Sequence, residues 1–156
     1  MQENPLQFKL QLNPVIRYLF ISSLSATAFS VMHTGHHLSK FITDNDLIDM
    51  VQLKALKEKI NSTPDGEFVV LSLEDEILIY TSIDIHCKMY LTDISDEFEK
   101  FNKEQMETVG ISFVNLRSII LNSGQIALEN MKNAFYEFPD FKRRTDLLSS
   151  DEFNKV

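Results

Sequence analysis

Histidines are the residues whose spacing most suggests chemistry in this chain. His33, His36 and His37 fall together in MHTGHHLSKF, and His86 lies far along the sequence in DIHCKM. Two histidines four apart on a helix face one side, so His33 and His37 can share a divalent transition metal, the ion such rings bind best. His86 offers a third ligand, with Asp84 or another acid beside it, as in metal centres built between the helices of a bundle. Helical geometry argues the other way. At about 100° per residue His33, His37 and His86 lie well off the centre of the apolar faces of their helices, and Gly35 weakens the helix that the His33–His37 pair needs. Solvated or lightly buried histidines are the simpler expectation, and a metal- or small-ligand-binding bundle using His33, His37 and His86 is the alternative.

Other chemistry finds less support. The sequence holds no glycine-rich phosphate loop, no Gly-x-Ser-x-Gly elbow and no paired-cysteine motif. Asp44, Asp46 and Asp49 resemble part of a calcium loop, but its glycine and closing glutamate are missing, and helix capping accounts for them. The single cysteine, Cys87, excludes an internal disulfide and fits a reducing, cytoplasmic setting. It sits on an apolar stripe, as an inert core thiol does. Acids gather at Asp93, Asp96, Glu97, Glu99, Glu104 and Glu107. Such a run is a solvated face first; as a site it would receive a basic partner protein.

Composition bounds the function classes. The 156 residues carry a formal charge of −8, with 44% hydrophobic residues and four each of Gly and Pro. That describes a folded chain large enough for one core. The negative balance argues against a nucleic-acid binder, which needs cations for phosphates. The opening residues lack the basic and apolar regions of a secretory leader. VIRYLFISSLSATAFSVM is nearly long and apolar enough to span a bilayer, but Arg17 and scattered hydroxyls make it a buried helix instead.

The stretch from Glu67 to Phe101 is the organising element, read for most of its length as one long helix. Ser72 followed by Glu74, Asp75 and Glu76 is a helix start, a hydroxyl cap with acids at the positive end. Ile77, Tyr80, Cys87, Leu91, Ile94, Phe98 and Phe101 form one apolar stripe. Leu78, Ile85 and Met89 form a second, roughly 160° away.

The rest is read in chain order. Residues 1–13 are extended, with Leu6, Phe8, Leu10 and Leu12 alternating as in a strand. Glu67–Leu71 is the only short segment available to pair with them. Asn13-Pro14 caps and starts a helix running to Ile42, which Gly35 kinks or interrupts. A second helix spans Asp46 to Ile60, and Asn61–Gly66 is a loop of turn-forming residues. Asn102 caps a helix carrying Met106, Val109, Phe113, Leu116, Ile120, Ser123 and Ala127 at three–four spacing; a strand over Ile111–Leu121 is the lesser reading. Phe138-Pro139 stops it, and 139–156 is a tail holding one short helix around Asp146–Phe153.

The expected fold is therefore a mostly α single domain over 1–156, a bundle of four principal helices with a minor two-stranded β-ribbon. The expected function is a non-catalytic, acidic protein-interaction module that binds or inhibits a partner, without a cofactor. Leu78, Ile85 and Met89, with Asp93, Asp96 and Glu97, form its expected partner-binding face. Because Ile21, Phe29 and Met32 repeat the surplus of apolar surface on the first helix, a homodimer is also expected.

Overall fold

The computed structural model describes residues 7–33, 35–113 and 115–154. The described residues form a mostly helical fold with one small antiparallel sheet. In chain order the elements are β1 (Gln7–Gln11), α1 (Pro14–Met32), α2 (His37–Asp44), α3 (Met50–Ser62), β2 (Phe68–Ser72), α4 (Leu73–Met89), α5 (Ser95–Thr108), α6 (Leu116–Phe135) and α7 (Pro139–Leu148). Leu6 and the residues before it lie outside the described range.

The ribbon forms as the alternation predicts. β1 pairs antiparallel with β2, Phe8 opposite Leu71 and Leu10 opposite Val69. Phe8 and Leu10 turn towards the core with Val69 and Leu71, while Lys9, Phe68 and Val70 face out. Backbone bonds between Leu12 and the Gly66-Glu67 pair extend the pairing past the strands. The entry into α1 is thereby tied to the loop that precedes β2, while α4 leaves from the opposite end of the ribbon, where Ser72 faces Gln7.

Local start signals hold wherever a side chain can reach the first free amides. Asn13 accepts from the Ile16 amide, with Pro14 at the first helical position. Asp49 accepts from Val51 and Gln52 and starts α3, three residues later than Asp46 would have. Ser72 and Asp75 close a reciprocal capping box at the head of α4. Pro139 does not end the chain's helices; it opens α7, which lies earlier in the tail than the expected Asp146–Phe153 segment.

Among the described residues seven helices stand where four long ones and a short tail helix are expected: three of the long ones break, α5 joins the end of one to the start of the next, and α7 forms in the tail. Between α1 and α2 the chain turns at Gly35, at φ 87°, where a glycine has no Cβ to clash. The Glu67–Phe101 stretch divides at Tyr90–Ile94, where successive three-residue bonds from Leu91, Thr92 and Ser95 tighten the chain out of the α-helix. Asn102 is therefore not a cap: it lies buried in the middle of α5. The Met106–Ala127 heptad is cut by Gly110 at φ 77°. The Gly110 amide donates to the Glu107 carbonyl and Ile111 to Met106, the paired bonds of a Schellman closure. Ile111–Phe113 has no regular structure, so neither the helix nor the strand reading holds there, and Asn115 caps a fresh helix, α6. Asp46, the one non-glycine at positive φ among the described residues, ends α2 by the same paired bonds.

α1 and α4 form the centre. They make the most extensive helix contact in the fold, and the others wrap them: α2, α3 and α5 on α1, α7 on α4, α6 on both. Ser23 meets His86 and Ser30 meets Met89, so contacts run in the same order along both helices. Both are buried on nearly every side, as helices without a polar face must be. α1 is also long and apolar enough to cross a membrane. In this fold most of it is enclosed by protein, with Ser22, Ser23, Ser25, Ala26, Thr27 and Ser30 allowing close approach. Its one charge, Arg17, reaches the Ile60 and Thr63 carbonyls and Asp65, closing the C-terminal end of α3.

Candidate ligand-binding cleft

α4 carries a carboxyl group into an apolar cleft near its N-terminal end. The capping box fixes how α4 begins: Asp75 is held by the Ser72 amide at 3.0 Å and by Lys59 at 3.2 Å. The next residue, Glu76, is then directed inwards. It is 8% exposed, and the five ion pairs among the described residues do not include it. Burial, followed by the nearby Asp75 charge, pushes its carboxyl up to about 7.

The cleft that Glu76 lines has a volume of about 600 Å³, within the range of small-molecule sites. β1 contributes Phe8, Lys9 and Leu10; α1 contributes Ile16, Leu19 and Phe20; α6 contributes Ala127, Met131 and Phe135. Phe8 meets Phe135 edge to face at 4.9 Å, closing one side. Val15 and Ile126, 42% and 62% exposed, stand among the lining residues as apolar groups left in water. Beyond Glu76, the polar side chains on the lining are Lys9, Ser123 and Asn130.

At the other end of α4 lies a sealed polar cluster. His86 is wholly buried, its Nδ1 3.0 Å from Ser23 Oγ, its ring against the edge of Phe98 and stacked on Tyr90. Burial pushes the imidazole down to about 3, so it is neutral. Asn102 donates to the Tyr18 hydroxyl at 3.3 Å, and Tyr18 donates to the Leu116 carbonyl at 3.4 Å. Burial raises the phenols of Tyr18, to about 12, and of Tyr90. The arrangement holds neutral groups in place; none is presented to a ligand from outside.

The expected site residues separate. Leu78, Ile85 and Met89 are 3%, 0% and 0% exposed within a single chain. The second stripe is covered by the chain's own helices, Met89 Sδ even accepting from the Ser30 hydroxyl. It is not a surface that a second copy could reach. Asp93, Asp96 and Glu97 are outside, and two of them meet the histidines: His36 lies 3.2 Å from Asp93 and His33 lies 3.3 Å from Glu97. His37 has a buried Nε2 without a hydrogen-bond partner among the described residues. His33 and His37 are on opposite sides of the Gly35 turn, not on one helix. Among the described residues no group of three or more His, Cys, Asp or Glu is placed to hold a metal ion. Cys87 is a core thiol, raised to about 12 by burial, 3.0 Å from where a Cβ on Gly124 would stand.

Glu76 is the residue that sequence reasoning missed. It read as a first-turn acid at the positive helix end. The available signal was its place at the head of the row Glu76–Tyr80–Ile83–Cys87, all inward-facing positions at helical spacing. No protein-family model, curated protein or solved structure matches the chain.

Proposed function

We propose that this protein is a non-catalytic binding module whose ligand is a small molecule with an apolar body, held in the cleft between β1, α1 and α6. The observation that carries the reading is Glu76: one buried carboxyl on the lining of an otherwise largely apolar cleft. An apolar pocket with few polar groups and a perturbed titratable residue is the usual form of a ligand site. The cleft also explains why Val15 and Ile126 stay exposed, since a bound apolar body would cover them. This replaces the histidines, as ligand groups, with Glu76.

Titration with Nile red, a neutral dye that brightens in apolar surroundings, tests it. Saturable binding with one site per chain is expected, and Ala127→Trp, which fills the cleft, should abolish it while leaving the helical circular dichroism intact. Dye bound equally by the filled variant would overturn the site.

A second reading, docking of a basic partner protein, is supported by Asp93, Asp96 and Glu97. All three are exposed on one turn and have no lysine or arginine in salt-bridge range among the described residues. Salt-sensitive binding to a cationic peptide, lost on Asp93→Asn with Glu97→Gln, would support it; no such binding would remove it.

A further inference from the structure

We infer that the cleft selects an amine: a ligand with a protonated nitrogen at Glu76 and an apolar chain or ring along α1 and α6. This rests on the cleft being the binding site and adds the class of head group it takes. Three observations favour a cation over a hydroxyl or an acid.

The first is charge without a counterion. Glu76 is more than nine-tenths buried and has no ion-pair partner among the described residues, whereas its neighbour Asp75 is held by Lys59. A buried carboxylate without a partner is costly, and a cation placed beside it removes that cost.

The second is the local field. Asp75 adds a second negative charge next to Glu76 and raises its carboxyl further. A bound acid would meet both. α1 and α6 bring no charged side chain to the cleft, and the charge that β1 brings, Lys9, is on the exposed face of the ribbon where water screens it. The chain as a whole, at −8, attracts cations.

The third is shape. The apolar walls, from Ile16 and Phe20 to Met131 and Phe135, give a hydrocarbon path for the body, and Glu76 is the one acid on the lining for the head. A small inorganic cation or a fully polar amine would leave that lining wet and gain nothing from it.

The test compares 1-octylamine, 1-octanol and octanoate, which share one chain and differ in the head, by calorimetry at pH 7.5. Octylamine is expected to bind on the order of tenfold tighter or more, the range of a desolvated charge pair. In Glu76→Gln the three should bind alike. The wild type gives the same answer without a substitution, because the preference for octylamine should shrink as the pH falls below about 7 and Glu76 takes up a proton. Octanol or octanoate binding as well as octylamine overturns the amine inference and leaves the cleft standing, as does a preference that persists in Glu76→Gln or at low pH. Failure of all three ligands, together with Nile red, overturns the cleft itself.

Discussion

The two ends of α4 bury one titratable side chain each and put them to opposite use. Glu76 and His86 are three turns apart on one helix and are similarly withdrawn from water. Burial disfavours the charged form of both, raising the carboxyl and lowering the imidazole. At the His86 end the space is filled: Phe98 and Tyr90 close over the ring and Ser23 takes one nitrogen. At the Glu76 end a cleft of about 600 Å³ bounded by β1, α1 and α6 leaves room beside the carboxyl. What separates a core polar group from a candidate binding group is therefore room for a partner, not the size of the pKa shift.

The largest expected effect comes from unsealing the closed end. Phe98 is wholly buried and packs on His86, Tyr90 and Phe29. Phe98→Ala should cost ~3–5 kcal/mol in denaturant unfolding. It should also move the His86 titration towards its ordinary range, read by NMR. A loss below ~1 kcal/mol would mean that the two ends do not differ in packing.

Glu76 should give the next largest change. Its carboxyl rises from 4.5 to about 7 in the folded chain. The folded state then binds more protons than the unfolded state between those values, so stability falls as the pH rises through that window. At 1.36 kcal/mol per unit the loss is about 3 kcal/mol, complete above pH 7. Glu76→Gln should remove this decline and be the more stable protein at pH 8. Identical pH profiles for variant and wild type would show that Glu76 is solvated.

His86 pulls the other way. Its folded value of about 3 lies below the ordinary 6.5, so the unfolded chain takes up the proton first. Stability is present above 6.5 and declines as the pH falls, by about 2 kcal/mol at pH 5. His86→Asn, which can keep a hydrogen bond to Ser23, should flatten this acid limb and leave the alkaline one unchanged. If it flattens neither, the ring is not sealed.

The smallest change tests what aims Glu76. Ser72→Ala removes the cap on the Asp75 amide and should cost about 1 kcal/mol. It should also weaken Nile red binding, since the capping box sets how α4 starts. Equal unfolding midpoints with equal m-values would show that the box is idle.

Several of these features were legible in the sequence because their causes are local. Alternation in Gln7–Gln11 and the turn residues before Phe68 were enough to pair β1 with β2. Asn13-Pro14, Asp49 and Ser72 reach amides within three residues of themselves, so their caps need nothing from the rest of the chain. Gly35 marked a break for the same reason, since a left-handed turn is a property of one residue.

The long Glu67–Phe101 helix and the unbroken Met106–Ala127 heptad were misread because three–four spacing continues across a turn when both flanking helices face the same core. Only the packing of α5 on α1 reveals the stop at Tyr90. The covering of Leu78, Ile85 and Met89 is likewise a tertiary outcome: five helices enclose the two central ones, and of the apolar surplus expected at a dimer contact these three and Ile21 are buried within one chain while Met32 stays exposed. The burial of Glu76 belongs with these. A glutamate in the first turn of a helix has the same sequence signature in water or in a cleft, and the placement of β1 and α6 decides between them.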